Sequence, residues 1–392
     1  MADKAYITPN VFKWARESAR ITEEIAAHKA SVPVEKLMEW EEGISQPTIR
    51  QAQILAKFYK RPFALFFLPD IPRDFQPLQD FRKERSKSLS TASIFIIREI
   101  QQKQAWISEV RQEAGEERLS FVGKYSTKDD PYIVANDILS TLSITPNEYT
   151  KSSPIREWIE AAESKGIFVS RTSFIHSRLK LDSDEIQGFA IADPYAPFVF
   201  INSDDWNAPQ LFTLVHELAH IWIAETGVSN DISLDNAVRS NLNPVELFCN
   251  EVTAHALMPK YVMNTFKHSN LNNSSEVYKL SKNLGVSTFA FLVRAFNLNL
   301  ISASMYQKLK TNAEIEYKAY LKREEEKKTR QREKESSGGP NYFLLQLNRN
   351  SRLFTQTVLD AFRGGFIEPT QASSLLNVQV NKFPKLEAQL YK

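Results

Sequence analysis

Residues 211–222 read LFTLVHELAHIW, so that His216, Glu217 and His220 stand inside an otherwise apolar run. In a helix, residues four apart lie on one face about one turn from each other, and Glu217 is rotated from His216 by about 100°. Two imidazoles can therefore share one ion, with a carboxylate beside it. Neutral imidazoles bind Zn²⁺, and the glutamate can take the proton of a water that attacks a carbonyl group. The stretch predicts a metal-binding helix, and a core helix with two hydrogen-bonded histidines is the alternative.

A third protein ligand is expected from the helix that residues 243–259, NPVELFCNEVTAHALMP, predict. The candidates in this helix are Glu246, Cys249, Asn250, Glu251 and His255. Asn243 is suited to cap the helix and Pro244 to open it, which would make Glu246 a capping-box residue instead of a ligand. Since five residues turn a helix by about 500°, Glu246 and Glu251 cannot point the same way. The residues alone leave both glutamates open.

The first seventy residues predict consecutive short helices, which turn and capping residues separate. Two of them have a helix-turn-helix layout, in which PVEKLMEWE would face a DNA major groove. Four glutamates accompany a single Lys36 in and just after this segment, whereas phosphate and guanine contacts call for arginine or lysine. Lys36 is thus the one DNA-binding candidate, and a protein-docking module is the alternative.

The middle and the end of the chain predict a small sheet among helices. Short β-rich runs, IFVSRTSF, IQGFAIAD and PFVFIN, come directly before the metal-binding stretch. Helical patterns follow that stretch, then the charged run KREEEKKTRQREKE, then the linker-like SSGGP. The last fifty or so residues predict a small separate helical unit.

Composition narrows the setting. Lysine and arginine total 49 against 47 aspartates and glutamates, so overall charge gives no reason to expect a polyanion partner. A single cysteine, Cys249, and an N-terminus without a secretory apolar core favour a reducing cytoplasm. The apolar runs are far shorter than the roughly twenty residues that a membrane-spanning helix needs, so no membrane association is expected.

The sequence FTLVHELAH, followed by VELFCNEVTAHALMP, resembles the ImmA/IrrE metallopeptidases. On the family pattern Glu246 takes the position of the ligand glutamate and Asn250 matches, while Cys249 and Val252 depart from it. The resemblance implies one Zn²⁺ per chain held by His216, His220 and Glu246, with Mn²⁺ as the alternative ion. It implies Glu217 as the general base and favours Glu246 over Glu251.

The resemblance extends to family members that carry an N-terminal XRE-type helix-turn-helix domain. It implies an α+β, mostly helical fold: an all-α helix-turn-helix domain, a zincin-like (gluzincin-type) peptidase domain with a small sheet, and a C-terminal helical unit. The expected boundaries are 1–72 for the helix-turn-helix domain, 73–125 for connecting helices, 126–310 for the metallopeptidase domain, 311–339 for the charged helix and linker, and 340–392 for the C-terminal domain.

EIQGFAIAD resembles the edge strand beside the metal in this family. An extended peptide can pair with such an edge, which places Gly188 and Phe189 near substrate. Gly188 equally fits a bulge or a turn.

The family implies a cytoplasmic bacterial protease that selectively removes a repressor or antitoxin-like partner, in a stress response or for a mobile element. The expected partner is a protein substrate, which could itself contain a helix-turn-helix. Any contact with DNA would involve residues 1–72. The alternative function is a DNA-binding or antitoxin-type regulator whose metal site is structural or inactive. A further alternative is a docking scaffold whose contacts lie at 322–335 and in the C-terminal unit.

Overall fold

The computed structural model describes residues 3–72, 78–80, 89–150, 153–176, 179–204, 207–229, 243–266, 271–333 and 341–392. The chain divides into two units, one made of residues 1–77, 87–101 and 174–180, the other of residues 78–86, 102–173 and 181–392. Among the described residues helices predominate, together with a small five-stranded mixed sheet and a two-stranded sheet, which is consistent with the α+β class. No helix among these residues is long and apolar enough to cross a membrane.

The first unit contains short helices around a small apolar core. They are α1 (Pro9–Ser18), α2 (Glu23–Ala30), α3 (Val34–Glu41) and α4 (Ile49–Phe58), followed by a 3-10 helix (Phe63–Phe67). Thr22 caps α2, and Thr48 forms a capping box with Gln51 at α4, as the capping signals in the sequence predict. The segment 174–180 of this unit pairs β3 (Phe174–His176) with β4 (Leu179–Lys180). The assignment of the helices of this first unit to the XRE class stays a prediction.

The helix α5 (Thr91–Glu113) belongs to the first unit up to Gln101 and to the second from Gln102 onward. The second unit adds α6 (Pro131–Leu142), α7 (Pro154–Ser164), α8 (Asn207–Trp222), α9 (Pro244–Leu257), α10 (Lys260–Met263), α11 (Ser274–Leu284), α12 (Thr288–Asn297) and α13 (Ala303–Glu333). Four further helices close the chain: α14 (Tyr342–Asn350), α15 (Arg352–Arg363), α16 (Pro369–Leu376) and α17 (Phe383–Leu390), with a 3-10 turn at Val380–Lys382. The linker expected at 336–340 lies outside the described residues.

The sheet of the second unit has five strands in the order β1, β7, β5, β6, β2. They are β1 (Gln79–Asp80), β7 (Gly227–Ser229), β5 (Gly188–Ile191), β6 (Phe198–Asn202) and β2 (Phe168–Thr172). The two outer pairs, β1 with β7 and β6 with β2, are parallel, while β5 is antiparallel to both of its neighbours. Apolar side chains fill both faces of the inner strands, because helices cover each face.

The expectation that the strand of Gly188 and Phe189 is an edge strand is wrong. Gly188, Phe189 and Ala190 pair with Ser229, Val228 and Gly227 on one side, and the strand pairs with β6 on the other. The sequence run GVS after the metal-binding helix supplies the extra neighbour, and it is too short to predict as a strand from periodicity. A peptide therefore finds no unpaired backbone along Gly188–Ala190.

The last helices pack on the outer strand β2 and on α7 within the second unit. This contact consists of buried polar groups. Ser351 Oγ and the Arg352 backbone N–H both donate to Glu163 Oε1. The Ser170 hydroxyl donates to the carbonyl oxygen of Arg349. Burial raises the pKa of Glu163 to about 7, although the Ser351 hydrogen bond opposes this shift. The C-terminal segment is thus joined to α7 and β2 through satisfied hydrogen bonds.

Candidate metal centre

The central helix α8 is buried along most of its length, from Gln210 to Trp222. Its C-terminal carbonyl groups do not face water, because the backbone N–H of Gly123 donates to Ile221 O at 3.0 Å and that of Tyr125 donates to Trp222 O at 3.0 Å. A helix end can be buried only if such partners exist. His216, Glu217 and His220 therefore sit in the interior of the unit, exposed by no more than 1%.

The helix α9 brings Glu246 to the two histidines. Asn243 caps this helix by accepting from the Val245 N–H at 2.9 Å, and Pro244 opens it, as the sequence indicates. The Glu246 carboxylate lies 3.2 Å from His216 Nε2 through Oε2 and 3.1 Å from His220 Nε2 through Oε1. Glu246 thus meets the imidazoles from the third position of its helix, where a capping-box residue would also stand.

The spacing of these atoms fits a metal ion. The two Nε2 atoms are 3.1 Å apart, and each lies 3.1–3.2 Å from a different oxygen of the Glu246 carboxylate. Four tetrahedral ligands at the usual zinc distances are about 3.3 Å from one another. Among the described residues, His216, His220 and Glu246 form a cluster of ligand-type side chains. This cluster could bind one metal ion.

Asn250 fixes the tautomer of one imidazole. Its Oδ1 lies 3.0 Å from His216 Nδ1, and an amide oxygen can only accept, so Nδ1 carries the proton and Nε2 presents its lone pair to the cluster. Such an outer hydrogen bond typically orients a metal-binding histidine. Asn250 follows Glu246 by one helical turn, so the spacing of four was the sequence signal for this role.

The protonation states also suit a cation. Burial lowers the pKa of His220, which favours the neutral ring that a metal needs. Burial would raise the pKa of Glu246, but the neighbouring His216 and His220 outweigh it and hold that pKa well below its usual range. Cys249 packs beside them, and burial raises the pKa of its thiol. His220 thus favours its neutral form and Glu246 its ionised form, and these are the forms in which the two side chains bind a metal.

Glu217 lies against Gly188 of the strand β5. A Cβ atom on Gly188 would stand 3.1 Å from Glu217 Oε1, 2.6 Å from Thr213 Cγ2 and 2.9 Å from the Phe200 carbonyl oxygen. Glycine is needed here for the close approach of α8, and the strand register shows no bulge at this position. Phe189 points to the opposite face and stacks on Phe200 with ring centroids 5.0 Å apart.

The remaining candidates lie elsewhere. Glu251 is exposed, and His255 contacts Arg294 through Nδ1 at 3.0 Å, so neither joins the cluster. In the first unit Lys36 Nζ lies 2.5 Å from Glu39 Oε2, which also accepts from Ser45. The one cation of α3 is therefore engaged by a neighbouring acid.

Residues 162–296 match the family model of the IrrE N-terminal-like domain, Peptidase_M78. The match runs from the end of α7 to α12 and includes every residue of the cluster. It supports a metallopeptidase of the ImmA/IrrE type for this part of the chain. No curated protein matches the chain.

Proposed function

We propose that the chain is a zinc-dependent endopeptidase of the HExxH type, with His216, His220 and Glu246 as metal ligands and Glu217 as general base. One observation carries the proposal: the buried side chains of His216, His220 and Glu246 lie close enough together to share one ion, and the buried Glu217 adjoins His216 in a region that matches a peptidase family. A set of two imidazoles and one carboxylate suits Zn²⁺, with Mn²⁺ as the second choice.

Each residue has a separate task in hydrolysis. His216, His220 and Glu246 would hold the zinc ion, which would supply Lewis-acid polarisation of the scissile carbonyl group and lower the pKa of water. Glu217 accepts the proton from the attacking water and then delivers it to the departing amine nitrogen. Asn250 keeps His216 in the tautomer that leaves Nε2 unprotonated. Gly188 leaves room for the Glu217 carboxylate beside the strand β5.

The target that we propose is a regulatory protein, either a repressor or an antitoxin-like partner, in a bacterial stress response or mobile-element system. This part rests on the similarity to the IrrE N-terminal-like domain and on the sequence resemblance of the first unit to an XRE-type module. That module would recruit a protein or, less in keeping with the engaged Lys36, DNA.

The test compares full-length wild type with Glu217→Gln, both loaded with zinc, in a bacterial lysate whose new protein N-termini are mapped by mass spectrometry. Removing a general base lowers a rate by about 10²–10⁴-fold, so the new termini should vanish in Glu217→Gln while zinc content stays the same. Glu251→Gln is the matched control, because it removes one exposed carboxylate from α9 without touching the cluster.

Unchanged cleavage in zinc-loaded Glu217→Gln would overturn the assignment of the base. A wild type that holds zinc, produces no new termini, and yet regulates a target as well as Glu217→Gln does would favour the binding regulator. In that case substitutions within residues 33–42, and not in the cluster, should abolish regulation.

A further inference from the structure

Arg171 lies on the face of the sheet that carries the metal centre. It pairs with Ile201 of the neighbouring strand, and Ile201 pairs with Gly188, the residue that contacts Glu217. Directly paired residues point to the same face of a sheet. Two strand spacings separate Arg171 from Gly188, which is about 10 Å.

The contacts of Arg171 are consistent with this placement. Its Nη1 donates to Gln210 Oε1 at 3.4 Å, and Gln210 lies two helical turns before Glu217 on α8. Gln210, Thr213 and Glu217 thus follow one face of α8, from Arg171 at one end to Gly188 at the other. The face of α8 from Glu217 to Gln210 therefore runs alongside the paired residues Gly188, Ile201 and Arg171, from the metal centre to Arg171.

The charge around Arg171 is not balanced by the described residues. Burial lowers the pKa of Arg171, and the nearby guanidinium of Arg156, in the first turn of α7, lowers it further. No carboxylate of the described part of the chain forms an ion pair with either arginine. The helix α7 packs on the strand β2, and an anion bound between these two like charges would relieve their repulsion.

We propose that Arg171 and Arg156 form an anion subsite that binds an acidic side chain of the protein substrate. The planar guanidinium of Arg171 can hold a carboxylate with two parallel hydrogen bonds, and the more exposed Arg156 adds attraction at the rim. The site rests on the proposed peptidase function for its biological use. An acidic residue bound there would lie a few positions along an extended peptide from the scissile bond.

Binding can be tested without cleavage. Fluorescein-labelled tetraglutamate and tetraglutamine peptides are titrated with full-length, zinc-loaded Glu217→Gln, and anisotropy reports affinity. Tetraglutamate should bind more tightly, and its affinity should fall about tenfold in Arg171→Gln and less in Arg156→Gln, because an exposed ion pair contributes less. Lys165→Gln, an exposed charge at the other end of α7, is the matched control.

Each outcome of this titration decides the proposal. Equal affinity for both peptides, or a loss in Lys165→Gln as large as in Arg171→Gln, would overturn the subsite. Inorganic phosphate that displaces tetraglutamate at equimolar concentration would assign the arginines to a small free anion instead. Acid preference that disappears only with Arg171 and Arg156 supports the proposal, even if no cleavage is ever detected.

Cleavage specificity gives an independent reading if the peptidase function holds. Cleavage sites of the wild type should carry aspartate or glutamate at one fixed position a few residues from the scissile bond, and sites of Arg171→Gln should lose this enrichment. Cleavage without any acidic preference would contradict the subsite and leave the peptidase intact. Absence of cleavage together with acid-specific binding would do the reverse.

Discussion

Two buried glutamates, one in each unit, are surrounded in opposite ways. In the first unit Glu41 receives two hydrogen bonds from Arg16, from Nε at 2.7 Å and from Nη2 at 2.8 Å. In the second unit Glu246 faces two imidazole nitrogens, and His216 already uses its N–H on Asn250. At Glu41 a guanidinium supplies the donors, whereas Glu246 faces two ring nitrogens of a kind that can also bind a metal ion.

This difference separates a structural ion pair from a ligand site. The guanidinium of Arg16 supplies to Glu41 the charge and the hydrogens that a buried carboxylate requires, and Arg16 Nη1 also donates to Ile21 O at 2.9 Å. Glu246, His216 and His220 offer instead the kinds of ligand atom that could hold one metal ion. Burial alone would not distinguish them, since Glu41 is 7% exposed and Glu246 1%.

The largest expected effect is loss of the metal ion from the cluster of His216, His220 and Glu246. Glu246→Ala removes one of three protein ligands, so zinc per chain, measured by elemental analysis after dialysis, should fall from about one to near zero. Glu251→Ala, five residues along the same helix, should keep the wild-type value. Zinc loss in Glu251→Ala but not in Glu246→Ala would move the third ligand and break the comparison.

The second effect concerns the first unit and should not involve metal at all. Arg16→Met leaves Glu41 buried without its partner, which should lower the free energy of unfolding by about 3–5 kcal/mol in urea titrations. The double variant Arg16→Met with Glu41→Leu should recover most of that loss, because it removes the uncompensated charge. Zinc content should be unchanged in both variants. A zinc-dependent stability difference between them would show that this pair is more than structural.

More of the candidate metal centre than of the surrounding structure could be predicted from the sequence. His216, Glu217 and His220 lie within five consecutive residues, so local helix geometry alone brings them together. Glu246 is distant in the chain. Helical periodicity does not distinguish Glu246 from Glu251 as the third ligand, whereas the family pattern favours Glu246. The helices of both units largely follow their capping and apolar signals, because these act over a few residues.

Pairing between distant strands was the part that local patterns do not encode. Whether the strand of Gly188 lies at an edge depends on Gly227–Ser229, a three-residue run that becomes a strand only by pairing with β5. The same holds for Arg171, whose meaning depends on the register of β2 with β6 and on a contact to Gln210 on α8. Such facts arise from tertiary context, which outweighs short-range propensity in strands.

The smallest effect sharpens the comparison at a single hydrogen bond. Asn250→Ala removes the acceptor that holds the Nδ1 proton of His216, so the ring is free to rotate and to exchange tautomers. Zinc affinity, measured by competition with a chelating dye, should fall about 10–100-fold, while Asn250→Asp, which keeps an acceptor, should retain most of it. Thr253→Val is the matched control, because Thr253 is buried on the same helix but donates to the Cys249 carbonyl instead of an imidazole. If all three variants bind zinc equally well, Asn250 does not set the tautomer, and the arrangement of the cluster must rest on helix geometry alone.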